Sequence, residues 1–398
     1  MGGINNMNFQ ENKCPFWENE EITDDVIIFG INILGIVIAQ YLQKKENKKV
    51  IITDNSLNKQ NKKYIYGLCS IAPSEINVDC TCIISVEKME YLVAIEEQLK
   101  KMGCKRIIKP NIEKVRQYGN EFSDEEYIRC LWSVYFGYEI DLEHPRTFNE
   151  KIQWLKLYDR NSNYKKMVDK YEAKKYAKEV IGKNHIIPTI GIYDSVEEID
   201  FQSLPEKFVM KGTHDCRSVV LCEDKKNMDM DSVKKNLNDA LKKNHYYTFR
   251  EWAYKEVKPR IIVEKYMEDE NQKDGLIDYK FYCFNGKPQV IYVASNSSNK
   301  AIAKGIYLTL DWNIAPYERT DWNAFNEIPQ KPKMLSEMLR ISEKLSKEFK
   351  FVRVDLYEIG DIVYFSELTL YPAGGFRNYK TMEQDLKMGD LLRLDTDK

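Results

Sequence analysis

The feature that most restricts this chain is a pair of strand patterns near the C-terminus with charges set inside apolar runs. Phe351–Tyr357 reads FVRVDLY and Ile362–Leu370 reads IVYFSELTL, with a turn at Gly360 between them. Side chains two apart on a strand share a face, so Arg353 goes with Asp355 and Glu367 with Thr369. An odd number of loop residues in the hairpin is expected to bring all four to one side. Such a face joins an arginine to two carboxylates, which taken alone reads equally as a surface salt-bridge patch or as a set suited to magnesium-bound polyphosphate: hard cations take carboxylate and phosphate oxygens, and arginine faces the transferring group.

Three upstream strand patterns also carry charge among apolar neighbours. They are Phe208–Lys211, Ile261–Met267 and Asp278–Phe284, the last turning at Asn285-Gly286 into Pro288–Ala294, a two-residue hairpin signal. A lysine inside an apolar strand is costly unless its charge is matched. Lys211 and Lys280 therefore point to an anionic ligand. Lysine clusters such as Lys174-Lys175 lie on helical patterns and are read as solvated faces.

Composition limits the partners. The chain has 398 residues, 43% hydrophobic and 31% charged, with 60 basic against 62 acidic side chains and a net charge of -2. Nothing there calls for nucleic acid or an acidic membrane surface. The longest apolar stretch, Val26–Leu42, is interrupted by Asn32, Gln40 and two glycines and falls short of the ~20 residues of a spanning helix. The first twenty residues are polar and acidic, so no secretory signal is expected. Nine cysteines without a Cys-x-x-Cys pair fit a reduced, cytoplasmic chain, and four dispersed histidines give no structural zinc site.

Residues 1–21 read as a polar, disordered start. From Val26 to Asp54 runs a strand, glycine turn, helix, strand unit, with Gly30 and Gly35 flanking Asn32. Strands at Cys82–Val86 and Arg106–Ile108, with a helix through Leu92–Met102 between them, extend this to a Rossmann-like parallel sheet over 22–112. Its helix N-terminus is suited to a phosphate and Asp54 to a ribose, but Asn32 replaces the central glycine, so a nucleotide site and an empty scaffold are equally open. Ser123 to Glu126 has capping-box spacing and opens a helical connector over 113–165.

The run Thr147–Arg160, then Asp169-Lys170-Tyr171, Pro259–Glu264, Asp278–Phe281, Phe284–Pro288, Phe351–Tyr357 and Glu367–Pro372, resembles the teichuronopeptide-biosynthesis (TupA-like) ATP-grasp family across about residues 127–392. The resemblance implies a two-lobed ATP-grasp fold after the α/β domain, with a small lobe at 166–262 and a large, metal-binding lobe at 263–398. It implies ATP and Mg2+ as cofactors. Lys170 and Lys211 would reach the phosphates from the first lobe and Lys280 from the second. Glu264, Lys265, Tyr266 and Met267 would form the hinge strand beside adenine, with Glu268 or Asp269 at the ribose. Arg353 would face the transferring phosphate, and Asp355, Glu367 and Thr369 would complete the metal shell.

Where the family carries a glycine- and serine-containing loop after the strand lysine, this chain reads His214-Asp215-Cys216-Arg217-Ser218. Arg217 would supply by charge what the glycine amides supply by geometry, the alternative being an impaired loop, and His214 would either orient substrate or phosphate or serve the structure. Cys216 has no part in ATP-grasp chemistry. The family's arginine in the acceptor region is missing from Ser295–Lys300. The activity implied is a carboxylate–amine ligase with an acyl-phosphate intermediate. Its carboxylate and amine would be small molecules or nucleotide sugars, acted on in capsular or surface polysaccharide biosynthesis alongside polysaccharide-assembly proteins. The alternatives are a kinase of a small molecule or glycan, and a nucleotide-binding scaffold partner of a glycosyltransferase.

Overall fold

The computed structural model describes residues 14–394, apart from 19, 21, 24, 63, 216–217, 271, 273–274 and 296–301. The chain divides into two compact units, Met1–Ile140 and Asp141–Lys398.

The first unit holds the expected parallel sheet. Strands β1 (Asp25–Phe29), β2 (Lys49–Thr53), β3 (Cys69–Ile71), β4 (Thr81–Ile84) and β5 (Arg106–Ile108) lie in the order β3-β2-β1-β4-β5. Val26 to Phe29 form an unbroken apolar run because both faces of β1 are buried, as parallel strands require. Asn32 caps the Ile33–Glu46 helix by accepting from the Gly35 amide at 3.0 Å. The Ile112–Asn120 and Asp124–Phe136 helices, expected as a connector, belong to this unit. Ser123 accepts the Glu126 amide at 3.1 Å, but the Glu126 carboxylate binds Lys44 at 2.7 Å instead of closing the capping box. Among the described residues of the segment expected to be disordered, Phe16 is fully buried against Trp17, Tyr41 and Tyr118. Averaging over a polar stretch hid the ring that the core buries.

The second unit is built on two antiparallel sheets. The smaller contains β6 (Thr189–Tyr193), β7 (Phe208–Gly212), β8 (Val219–Cys222) and β9 (Ile261–Lys265) in the order β6-β9-β7-β8. The larger contains β10 (Asp278–Phe284), β11 (Lys287–Ser295), β12 (Lys304–Leu308), β13 (Phe351–Ile359) and β14 (Ile362–Thr369) in the order β12-β11-β10-β13-β14. Asn285 (φ 48°) and Gly286 (φ 81°) both take the left-handed conformation that a tight two-residue hairpin demands. One face of the large sheet packs on the amphipathic Leu335–Ser346 helix, with Phe281, Val352, Val354 and Met338 in its core. The opposite face carries the charged side chains. The Phe148–Tyr158 helix opens with a complete capping box: Thr147 accepts the Glu150 amide at 3.1 Å and Glu150 accepts the Thr147 amide at 2.9 Å.

Candidate active site

Cross-strand pairing puts the charged residues in a row. Lys280 on β10 lies opposite Asp355 on β13, and Asp355 lies opposite Glu367 on β14; one step along, Arg353 faces Thr369. The loop is even in length, not odd as the sequence leads one to expect. The turn holds two residues, Gly360 and Asp361, since Ile359 pairs with Ile362. That register continues to Leu356 and Phe365 and would set Ser366 opposite Asp355, sending Glu367 and Thr369 to the helix-covered face. A β-bulge at Ser366 inserts one residue, and pairing resumes with Asp355 against Glu367. The common face therefore depends on the bulge.

Asp355 is 1% exposed. Arg353 donates to it from Nε at 2.7 Å and Nη2 at 2.6 Å, and Lys280 from Nζ at 3.0 Å. Burial alone would raise its pKa, but the Arg353 and Lys280 charges outweigh that and hold the carboxyl below its ordinary value. Lys280 answers in kind. Burial disfavours its charge, yet Asp278 at 3.4 Å and Asp355 move its pKa above that of a free lysine. Arg353 reaches on to Glu367 at 3.2 Å, and the Thr369 hydroxyl donates to the same carboxylate oxygen at 3.3 Å.

The small sheet supplies a second ion cluster. Glu264 on β9 is bound by Lys211 from β7 at 2.6 Å and by Lys174 from the Lys170–Ile181 helix, which also donates to Thr189 at 3.0 Å. Lys174 was expected on a solvated face and is 5% exposed, against 4% for Glu264. Its neighbour Lys175 is the solvated one. Burial works against a charged Lys211, but Glu264, helped by Glu367 and Asp278 of the other lobe, raises its pKa overall. The field of the large lobe reaches this lysine.

Lys170 begins its helix behind an Asp169 cap, which accepts the Tyr171 and Glu172 amides at 2.9 and 3.0 Å and is fixed by Arg260 at 3.0 Å. Its ammonium donates to the Asp215 carbonyl. Lys170, Arg353, Glu367 and Thr369 line one cleft of about 170 Å3, with His245 and Glu251 on its wall. A larger cleft of about 290 Å3 contains none of these residues.

Other expected residues fall elsewhere. His214 is buried, with Nε2 3.0 Å from the Ala240 carbonyl, so its ring sits in the interior beside the small sheet and not in the row of charged side chains. Arg217 and Cys216 lie outside the described residues, as does Asn296–Lys300. Lys265 is exposed at the end of β9, the Tyr266 hydroxyl donates to Glu223 at 2.8 Å, and Met267 is half-buried. Glu268 is exposed and paired with Lys207 at 2.7 Å. Asp269 accepts the Gly360 amide at 3.1 Å, which ties it to the β13–β14 turn.

Sequence reasoning missed Lys174, Asp278, His245 and Glu251. Lys174 stands four residues after Lys170 and so shares its helix face, and Asp278 stands two before Lys280 on one strand face; both signals were in the spacing. His245 and Glu251, 3.4 Å apart, are joined only by the fold. In the first unit, the Asp54 carboxylate accepts the Ile31 amide at 2.9 Å and Lys59 at 3.0 Å, while Asn32 caps the helix. Two amides of the glycine turn, those of Ile31 and Gly35, are thus taken by the chain's own side chains.

For a metal, the described residues contain no group of three or more acidic, cysteine or histidine ligands. Magnesium commonly uses one or two protein carboxylates and takes its other ligands from phosphate and water, so the Asp355–Glu367 pair fits that ion, and ATP with it. No helix among the described residues is long and apolar enough to cross a membrane.

A family model described as TupA-like ATPgrasp matches residues 150–393, well over half of the chain. No curated protein matches. Among solved structures, a D-alanine–D-alanine ligase from Bacillus anthracis complexed with ATP is 14% identical, with 87% of this chain and 84% of that one covered at a TM-score of 0.29. The ATP-grasp ligase PsnB, complexed with a phosphomimetic variant of its minimal precursor, Mg and ADP, is 8% identical over 88% and 91% at 0.32. N5-carboxyaminoimidazole ribonucleotide synthetase from Thermus thermophilus is 11% identical over 87% and 71% at 0.30.

Proposed function

The chain belongs to the TupA-like ATP-grasp family, whose ligases join carboxylates to amines at the expense of ATP, and on that premise we propose that it forms an amide on a sugar uronate or amino acid during assembly of a bacterial capsular or surface polysaccharide. The observation that carries this reading is the row Lys280–Asp355–Glu367 with Arg353 beside it, of which Arg353 and Glu367 share a cleft with Lys170 of the other lobe.

In this proposal Lys170 and Lys211 hold the phosphates from the small lobe, and the strand Glu264–Met267 lies along the adenine, with the exposed Glu268 nearest the ribose. Lys280 and Arg353 approach the γ-phosphate from the large lobe. Asp355 and Glu367 hold magnesium, with Thr369 fixing the orientation of Glu367. The ion neutralises phosphate charge that would otherwise repel an incoming carboxylate. Arg353 and Lys280 are already oriented by Asp355, so little reorganisation is needed as charge builds on the phosphoryl oxygens. The substrate carboxylate takes the γ-phosphoryl group and ADP leaves. An amine then attacks the acyl phosphate, and inorganic phosphate departs as the amide forms.

The test is a screen for ADP release over nucleotide-linked uronates crossed with amines, repeated with hydroxylamine as the trapping amine. A hydroxamate together with ADP is the expected product. A phosphorylated product stable to hydroxylamine would make the protein a kinase and end the ligase reading.

A further inference from the structure

The charged face does not stop at Lys280. In the same row, Lys280 pairs with Tyr292 on β11, and Tyr292 with Tyr307 on β12. Two strand steps of about 4.8 Å place Tyr307 roughly 10 Å from Lys280. Over this end of the row lies Arg319, which donates to the Tyr292 hydroxyl at 3.0 Å and stacks 4.1 Å from the Trp322 ring. An antiparallel bridge between Arg319 and Tyr379 fixes its segment to the one that carries Arg377.

The two guanidiniums share one carboxylate. Arg319 binds both oxygens of Asp321, at 2.9 and 2.8 Å, and Arg377 comes no closer to it than 3.6 Å. Arg377 is nine-tenths buried, and its Nε has no hydrogen-bond partner. Two cations against one anion leave donors and charge unsatisfied, an arrangement that loses free energy unless something else supplies the match. Asp321 itself is 45% exposed, so it can turn outward to water.

We infer that Arg319 and Arg377 form an anion subsite, occupied in the free protein by Asp321, which anchors a second negative group of the substrate at the β11–β12 end of the row that carries Lys280. The inference rests on the ligase reading and gives its substrate a shape: a molecule with one reacting end at Lys280 and Arg353 and a carboxylate or phosphate at the far end. Planar, bidentate guanidinium recognition serves either anion. Asp321 keeps the pocket closed to weak anions and yields to one that binds both arginines.

Full-length protein is titrated calorimetrically with glutarate and with glucuronate 1-phosphate, with glucose as the neutral control, each with and without magnesium and AMP-PNP. At least one anionic probe should bind. Its Kd should rise about tenfold or more in Arg319→Met and in Arg377→Met, and fall several-fold in Asp321→Asn, a gain that misfolding does not produce. AMP-PNP affinity should stay within about twofold in all three variants. Tighter glutarate identifies a carboxylate anchor, whereas glucuronate 1-phosphate, which carries both a carboxylate and a phosphate, supports the subsite for either anion. Absence of binding to the natural chain by both probes, or affinities indifferent to these substitutions, overturns the subsite. Failure of AMP-PNP to bind the natural chain would instead remove the ATP reading, and the titrations without nucleotide would still decide the subsite.

Discussion

Lys174→Met and Glu264→Gln, alone and together, test whether the small-lobe ion cluster is the buried unit the geometry describes. The side chains of Lys174 and Glu264 are 5% and 4% exposed, and Lys211 lies 2.6 Å from the same carboxylate. Removing Glu264 strands two buried ammonium groups, a change expected to cost about 3 to 5 kcal/mol. At roughly 2 to 4 °C per kcal/mol for a unit of this size, the midpoint of thermal unfolding falls by about 10 °C. Lys174→Met costs less, because Lys211 still neutralises Glu264. In the double variant one stranded charge is gone, so the losses do not add, and the cycle yields a coupling of about 2 kcal/mol or more. Urea unfolding of the four proteins measures it. A coupling under about 1 kcal/mol, the level of an exposed pair, refutes the reasoning and returns Lys174 to the solvent. The pH dependence supplies a further check. Burial raises the Glu264 pKa, but Lys211 and Lys174 overcome this and hold it below 4.5. Its stabilisation is present at neutral pH and is lost as pH falls through that depressed value, so natural chain and Glu264→Gln should converge only in acid.

Asp355→Asn and Glu367→Gln should each lower magnesium-dependent ADP release by about a hundredfold or more; rates within tenfold of the natural chain would remove them from the phosphoryl-transfer centre. Asp385 is buried beside Asn149, and burial pushes its pKa up to about 6. The native state therefore holds this proton more tightly than the unfolded chain, and stability should decline by about 3 kcal/mol as pH rises from about 4 to 7. Melting curves of Asp385→Asn should lack that decline. Asn32→Ala should cost the first unit about 1 kcal/mol through the lost cap and leave ADP release unchanged; a fall in activity would bring that unit into the reaction.

Much of this site was legible because its residues are carried on strands whose period is two. Arg353 with Asp355 and Glu367 with Thr369 follow from alternation alone. Joining the two pairs required the register, and a bulge leaves no mark in residue type: Ser366 is an ordinary strand serine until pairing reveals that it has no partner. Lys174 was misread for a related reason. A lysine on a helix is usually solvated, and its burial follows from Glu264, ninety residues away in the chain, being folded beneath it. Arg319 and Arg377 come together through a bridge between two irregular segments, where no periodicity operates. Phe16 was lost in the average of a polar stretch.

The bulge at Ser366 also determines which changes of length this hairpin can tolerate. Substitutions along β14 alter one side chain at a time, whereas loss or gain of a single codon between Ile359 and Glu367 would invert the parity of everything beyond it. The carboxylate would turn toward the apolar helix, and Leu368 would turn toward the charged face. Insertions at the Gly360-Asp361 tip in pairs would preserve both faces. Natural variation in this stretch should therefore come in even steps, and a relative that differs by one residue there should have kept the fold's outline while losing its chemistry.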